Sequence, residues 1–191
     1  MSFELEPAKK IIGEHIYLEH PTPSFKLATE MFNVVDKNRE HILPWLPWAD
    51  VTITKTPENS YGFMTNAVQK WKNKTNFEYL IHLKETGEII GGLGVSRSDM
   101  IRPHKIEIGY WLSQDFCRRG YIKEAVRLAE KEFFSNEHIV RIVIRNDVEN
   151  IASANTAKSL GYKLEGIAVK EQWNTYLKKH RDMNHWAKVR E

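Results

Sequence analysis

Hydrophobic residues in the first third of the chain recur mostly at the spacing of helices. A short apolar strand is predicted first, at 16–20, and the prolines that follow end it. Ser24 stands directly before the first helix, where its side-chain oxygen would cap the helix N-terminus. The second helix should stop before Pro44, because a residue that precedes a proline disfavours helical dihedral angles. The helices predicted from this spacing are 25–35, 39–42 and 56–71.

Strands and helices alternate in the rest of the chain. The turn Glu85-Thr86-Gly87 joins two apolar runs into a hairpin, and Gly161 stands where a glycine usually follows a helix. The strands predicted here are 77–83, 89–95, 104–112, 139–145, 162–168 and 182–189, and the helices are 120–134 and 153–160. This order predicts a mixed sheet with helices packed on it, an α/β or α+β fold.

Length and composition favour one compact domain over residues 1–191. Domains average about 150 residues, and a hydrophobic fraction of 41% with six Trp, seven Tyr and eight Phe can fill one core. No run approaches the roughly 20 apolar residues of a membrane-spanning helix, and the N-terminus lacks signal-peptide features. The single cysteine, Cys117, cannot form an intrachain disulfide. These features predict a soluble cytoplasmic protein without membrane partners.

The charges are nearly balanced, with 28 basic and 25 acidic residues and a net charge of +3. That charge is too small for tracking phosphates, and the aromatic residues do not interleave with a basic stripe, so nucleic acid is not an expected partner. Basic residues are more frequent in the second half of the chain. This bias fits either an anionic ligand or a solvated basic face.

Two short motifs carry candidate chemistry. After the strand at 104–112, a turn with Arg118, Arg119 and Gly120 leads into a helix. Free N–H groups at a helix N-terminus, with two guanidinium groups, suit a pyrophosphate, although solvated arginines in an ordinary turn fit equally well. Downstream, Asn150 and Ser153 begin the next helix, a pattern that capping alone would explain.

Together, in this order, the two motifs resemble the GNAT superfamily of N-acetyltransferases. Within it they are most similar to the RimJ/RimL branch, which acetylates the N-termini of ribosomal proteins. The resemblance spans about residues 16–189. Its strongest marks are Trp45-Leu-Pro-Trp48, Glu107-Ile-Gly-Tyr-Trp-Leu112, Gly120-Tyr-Ile-Lys-Glu-Ala125, Asn150-x-x-Ser153, Gly161-Tyr-x-x-Glu-Gly166 and Arg181-Asp182.

The resemblance implies a mostly antiparallel central sheet flanked by helices, the GNAT fold, in a single N-acetyltransferase domain. It implies acetyl-CoA as donor, direct transfer of acetyl to a primary amine, CoA as product and no metal. The backbone of Tyr110, Trp111 and Leu112 would hold the pantetheine arm, with Asn150 and Ser153 near the thioester. The pyrophosphate would bind the amides of Arg118, Arg119, Gly120, Tyr121 and Ile122.

The chain departs from the family pattern at two places. Only the central glycine of the phosphate signature is retained, as Gly120 in Cys117–Ile122. Many relatives carry a tyrosine general acid where this chain has Ala157, which has no proton to donate. The resemblance then implies Ser153 as the acid that protonates the departing thiolate.

Two further catalytic groups are expected. Glu171 is the candidate base; its neighbour Gln172 cannot take a proton and would face the opposite way in an extended strand. A main-chain N–H near Leu112 would meet the oxyanion. An α-amine, with a pKa of about 7.7–8.0, needs less help from a base than a lysine amine near 10.4. A protein or peptide N-terminus is therefore the favoured acceptor.

The sequence leaves the acceptor and the assembly open. Trp45, Trp48, Trp173 and Tyr176 would line an acceptor cleft, or pack in the core and a flap. Polyamines and antibiotics are alternative acceptors, and a catalytically silent acyl-CoA-binding module is an alternative function. The oligomeric state, a homodimer included, is not fixed by the sequence.

Cysteine and histidine residues suggest two alternative chemistries. Cys117 precedes a helix N-terminus among arginines, a setting that lowers a thiol pKa and favours an acyl-cysteine intermediate. That mechanism also needs a histidine, and the sequence places none beside the cysteine. The eight histidines show no zinc-binding spacing, so no metal is expected.

Overall fold

One eight-stranded sheet organises the chain in a computed structural model that describes residues 5–97 and 104–190, so both ends of the predicted domain 1–191 lie outside it. The strand order is β1-β2-β3-β4-β5-β6-β8-β7. The strands are β1 Lys10–Ile12, β2 Ile16–Glu19, β3 Asn76–Leu83, β4 Ile89–Arg97, β5 Lys105–Leu112, β6 Arg141–Asp147, β7 Lys163–Asn174 and β8 Lys179–Val189. The predicted mixed, mostly antiparallel sheet is confirmed, with β1 as an additional three-residue edge strand.

Five α-helices of the described residues flank the sheet. They are α1 Phe25–Lys37, α2 Arg39–Ile42, α3 Pro57–Lys72, α4 Tyr121–Phe134 and α5 Ile151–Ser159. Ser24 caps α1 as predicted, since its Oγ accepts a hydrogen bond from Leu27 N at 3.2 Å. α2 ends before Pro44, but the expected reason is wrong, because Leu43 keeps helical angles of φ −58° and ψ −36°.

The predicted strand boundaries shift where local turns or exposed pairing intervene. β6 begins at Arg141 rather than 139, because Ile139 N donates to Asn136 O at 3.0 Å in a turn. β7 extends to Asn174 rather than 168, since its pairing with β8 resumes beyond an irregularity. Of the added residues 169–174 only Asn174 is buried, so no apolar alternation in the sequence predicts the extension.

Helices cover both faces of the sheet, and each face has its own core. The fully buried residues under α4 and α5 include Phe77, Ile106, Ala129 and Phe133. The core under α1–α3 includes Met31, Val35, Met64 and Leu80. Successive strand residues point to opposite faces, and accordingly Tyr110 packs against the first core and Trp111 against the second.

β5 and β6 form the one parallel pair among the described strands, and they separate partway along. Their aligned partners are Lys105–Arg141, Ile106–Ile142 and Glu107–Val143. β5 then continues to Leu112 and β6 to Asp147 without further pairing between them. One edge of β5 is therefore left without a neighbouring strand, and the sheet opens there.

Candidate active site

A cavity of about 1,320 Å³ occupies the opening between β5 and β6. The starts of α4 and α5, the β7 segment at 171–172 and the segment 41–46 complete its walls. The predicted site residues that line it are Trp45, Tyr110, Trp111, Leu112, Arg118, Gly120, Tyr121, Ile122, Asn150, Ser153 and Glu171. Arg119, Trp48, Trp173 and Tyr176 are not among the residues that line this cavity.

The β5 wall presents main-chain groups to the cavity. Its other edge pairs with β4, from Gly91–Leu112 to Arg97–Ile106. At Gly109 the space is open, because a Cβ atom added there would meet no atom within 4 Å. An extended ligand can therefore pair with this edge as an added strand would.

The turn before α4 exposes backbone amides. Arg118 and Gly120 take positive φ angles of 63° and 87°, and Gly120 occupies the N-cap position without a capping side chain. The first helical bond of α4 runs from Glu124 N to Gly120 O at 3.0 Å. The amides that precede it point away from the helix, as at every helix N-terminus.

The charges around this turn favour an anion. Arg118 and Lys123 line the cavity beside the exposed amides. The carboxylate of Glu124 turns away and accepts a hydrogen bond from His15 N at 2.9 Å. Arg119 lies with its guanidinium 5.5 Å from the Phe116 ring centre. Main-chain amides, the helix dipole and two cationic side chains thus combine at one end of α4.

Hydroxyl groups meet at the start of α5. Asn150 caps the helix, since its Oδ1 accepts from Ser153 N at 3.1 Å. The Oγ of Ser153 lies 3.0 Å from the phenol oxygen of Tyr110. From the sequence only the backbone of Tyr110 was expected to act here; the alternation of side chains along β5, which separates Tyr110 from Trp111, was the signal that could have indicated its hydroxyl. Ala157 is fully buried and does not line the cavity.

A bulge in β7 directs Glu171 into the cavity. Pairing with β8 is interrupted between Ala168 and Gln172. Within the bulge Lys170 takes a positive φ of 53°, and its N–H donates to Asp182 Oδ1 at 2.7 Å. The extra residues break the alternation of the strand, so Glu171 and Gln172 both line the cavity. The expectation that they face opposite ways is wrong.

An arginine and a histidine hold the Glu171 carboxylate. Arg145 Nη1 lies 3.1 Å from Oε1, and His185 Nε2 lies 2.7 Å from Oε2. Partial burial raises the pKa of Glu171, but the hydrogen bonds and charges of His185 and Arg145 outweigh it, and the net pKa is lowered. Arg145 also bonds Glu107 Oε2 through Nε at 2.9 Å. Glu171 is therefore ionised at neutral pH, and it is a weak base.

The predicted aromatic residues of the acceptor cleft lie in different settings. Trp45 lines the cavity, with its ring centre 5.6 Å from the guanidinium of Arg181. Trp48 packs edge-on against Trp111 at 5.9 Å beside the α1–α3 core. Trp173 and Tyr176 are about half exposed, and Trp173 meets His180 edge-on at 5.0 Å.

Cys117 lies beside a histidine that the sequence did not place there. Its Sγ is 3.7 Å from His41 Nε2 and 3.6 Å from Ser113 O. Burial raises the pKa of the Cys117 thiol, and the charge of Arg118 does not reverse this effect. The expectation of a lowered thiol pKa is therefore wrong. A protonated thiol disfavours the acyl-cysteine mechanism, although the histidine is present.

Residues 5–97 and 104–190 contain neither a cluster of metal ligands nor a membrane-spanning helix. No three His, Cys, Asp or Glu side chains in these ranges are grouped as metal ligands. The helices described there are all too short or too polar to cross a bilayer.

Comparison with known proteins gives one consistent family. The profile of the GNAT acetyltransferase domain matches residues 15–163. The N-acetyltransferase YdaF of Bacillus subtilis strain 168 is 24% identical over 159 residues, 82% of each chain. The N-acetyltransferase p20 of Bacillus licheniformis is 29% identical over 129 residues, which cover 63% of this chain and 71% of p20.

Solved structures share the fold at low sequence identity. The microcin C7 self-immunity acetyltransferase MccE, solved with acetyl-CoA and AMP, superposes with a TM-score of 0.84 at 24% identity, covering 93% of this chain and 94% of MccE. RimL, a ribosomal L7/L12 alpha-N-protein acetyltransferase solved with coenzyme A, gives 0.84 at 20%, covering 94% and 97%. The ribosomal-protein-S5-alanine acetyltransferase of Vibrio fischeri gives 0.82 at 23%, covering 94% and 96%.

The profile match covers most of the chain, and it includes the β5 strand, the turn before α4 and the start of α5. The open β5–β6 pair and the exposed amides lie inside the matched region. The chain belongs to the GNAT family of acetyltransferases.

Proposed function

We propose that this acetyltransferase moves an acetyl group from acetyl-CoA directly to the N-terminal α-amine of a protein or peptide. The observation that carries the proposal is the cavity between β5 and β6, where an open strand edge, exposed helix amides and the Glu171 carboxylate meet. We further propose that residues 1–191 form one N-acetyltransferase domain. The sheet draws strands from Lys10 to Val189, which supports this extent.

The donor would lie along β5 and end at α4. Its pantetheine arm would pair with the backbone of Tyr110–Leu112, on the edge that β6 leaves open. Its pyrophosphate would bind the amides of Arg118–Ile122, with Arg118 and Lys123 adding charge. MccE solved with acetyl-CoA and RimL solved with coenzyme A share this fold, which supports the assignment.

The cavity residues supply each step of a direct transfer. Glu171 would take a proton from the attacking amine, and the Leu112 N–H would stabilise the tetrahedral oxyanion. Collapse of the intermediate breaks the carbon–sulfur bond. Ser153 would then give a proton to the departing thiolate, and CoA would leave as the thiol.

The state of Glu171 favours an α-amine over a lysine or a polyamine. A base whose pKa is lowered by Arg145 and His185 removes few protons from an amine near pKa 10.4. An α-amine with a pKa of about 8 is already roughly one tenth neutral at pH 7. RimL is named a ribosomal L7/L12 alpha-N-protein acetyltransferase, and the Vibrio fischeri enzyme is named a ribosomal-protein-S5-alanine acetyltransferase, which supports a protein acceptor.

Competition at pH 7 tests the acceptor. Peptides that begin with Ser or Ala are mixed with N-blocked lysine peptides and spermidine, and product ratios are read by mass spectrometry. We expect the α-amines to react faster. Faster acetylation of spermidine would favour the small-molecule alternative, while acetyl-CoA binding without any turnover would favour a catalytically silent module.

A further inference from the structure

The side chain of Tyr110 meets the group that the proposed mechanism uses as its acid. Its phenol oxygen lies 3.0 Å from Ser153 Oγ and 3.5 Å from Ser153 O. Tyr110 is on β5 and Ser153 is on α5, and both line the cavity. The contact therefore connects two separate walls of the site through hydroxyl groups.

Ser153 alone is poorly matched to the proton transfer assigned to it. A thiol titrates near pKa 8.5, whereas an aliphatic hydroxyl resembles water, whose pKa is about 15.7. Transfer from serine to a thiolate is uphill by about seven pKa units. A phenol, with a pKa of about 10, is much closer to the thiol. A tyrosine that donates through the serine reduces this mismatch.

We propose that Tyr110 is a positioning residue that supplies, through Ser153, the proton taken up by the CoA thiolate. The inference rests on the proposed function. As the carbon–sulfur bond breaks, the Ser153 O–H bond breaks and an S–H bond forms. The Tyr110 O–H bond breaks at the same time, and its proton restores the serine hydroxyl. Glu171 releases to solvent the proton that it took from the amine, and the tyrosinate recovers a proton from solvent, so the protons balance.

The surroundings keep the Tyr110 phenol protonated before transfer. Burial raises the pKa of Tyr110, and hydrogen bonds with Ser153 and Thr156 oppose this effect only in part. The phenol therefore carries its proton at neutral pH. Its two hydroxyl partners orient it towards the start of α5, where the thioester would lie.

Ala157 leaves helix α5 without a phenol at this site. Ala157 is fully buried and does not line the cavity. In this chain the phenol reaches the α5 hydroxyls from β5 instead. The fold thus places a tyrosine hydroxyl at the site from a different element.

Tyr110→Phe tests the inference, because it removes one oxygen and keeps the ring. With acetyl-CoA and a Ser-starting peptide, we expect kcat to fall at least about 10-fold, below the usual 10²–10⁴-fold range because Ser153 remains. The KM for acetyl-CoA should change less than about threefold. Ser153→Ala should lower kcat as much or more, and the double variant should be no slower than Ser153→Ala, because one chain of proton transfer is already broken.

Tyr162→Phe is the matched control, since Tyr162 is a buried tyrosine of the same core that does not line the cavity. It should keep the wild-type kcat. Wild-type kcat in Tyr110→Phe, additive losses in the double variant, or a change confined to KM would each overturn the inference while leaving acetyl transfer intact. Melting curves identify any variant that is not folded. If Tyr110→Phe is not folded, the kcat of Ser153→Ala is compared with that of the wild type, and an unchanged kcat would overturn the inference. A wild-type protein that neither binds acetyl-CoA nor turns over would instead refute the proposed function.

Discussion

His185 lies with its Nε2 2.7 Å from the Oε2 of Glu171, across the β7–β8 hairpin. His185 is also the cross-strand partner of Arg145, which reaches the other carboxylate oxygen of Glu171. Neighbouring positions on β6 and β8 therefore hold one residue of the β7 bulge. The bulge sets the direction of Glu171, and its two partners set its charge.

Glu171→Gln should lower kcat about 10²-fold at pH 7, because the amide cannot accept a proton from the amine. The loss should shrink as pH rises towards 9, since the α-amine becomes neutral without a base. Steady-state rates with a Ser-starting peptide between pH 6 and 9 measure this effect. Glu165→Gln is the control, because Glu165 pairs with Arg141 outside the cavity. An equal loss at every pH would argue against Glu171 as the base.

Acetyl-CoA should stabilise the fold, because only the native turn presents the amides before α4. At 100 times its dissociation constant, a ligand adds about 2.7 kcal/mol to the free energy of unfolding. Arg118→Ala should weaken binding about 10-fold or more, the cost of one charge-assisted hydrogen bond. Calorimetry measures the affinity, with Lys131→Ala in the last turn of α4 as the control. Unchanged affinity in Arg118→Ala would place the pyrophosphate elsewhere.

Cys117→Ala should keep most of the wild-type turnover, because direct transfer uses no thiol nucleophile. Burial raises the pKa of the Cys117 thiol, which also disfavours a thiolate nucleophile. Rates are compared at pH 7, and intact-protein mass spectrometry after mixing with acetyl-CoA tests for an acetylated cysteine. Loss of turnover together with a trapped acetyl-cysteine would establish the covalent route through Cys117 and His41.

Glu78→Gln should stabilise the protein at neutral pH. Burial raises the pKa of Glu78 to about 6, against the charge of Lys70 and the Asn76 hydrogen bond of 2.7 Å. Because the folded-state pKa is raised, this group's stabilising contribution is complete below about pH 4.5 and is lost as pH rises through 6. A glutamine at this position does not ionise, so the variant does not lose this stability as the pH rises.

The expected gain is up to about 2 kcal/mol in the free energy of unfolding at pH 7.5, at 1.36 kcal/mol per pKa unit. It should vanish near pH 4. Urea unfolding at both pH values measures it, with the exposed turn residue Glu85→Gln as the control. An equal gain at pH 4 would show that the effect does not come from ionisation.

The sequence by itself determined the order of the elements, apart from the short edge strand β1, because those signals are local. Spacing of apolar residues predicted the helices, and the cap at Ser24 gave the start of α1, whereas α5 begins at Ile151, directly after its cap Asn150, rather than at 153. The turn before α4 could also be predicted from the sequence, because a helix N-terminus exposes backbone amides whatever the rest of the chain does. The β7 extension could not be predicted, because its exposed residues carry no apolar pattern.

Only the tertiary structure decided which side chains meet. Tyr110 and Ser153 are 43 residues apart, and Cys117 and His41 are 76 apart. Such contacts depend on how strands separate and helices pack, and no local propensity encodes them. The bulge that turns Glu171 inward likewise arises from pairing with β8 and from Asp182, which lies beyond the β7–β8 turn. Local sequence motifs therefore identified the candidate residues. Non-local packing determined which side chains contact them, their charge and the orientation of their side chains.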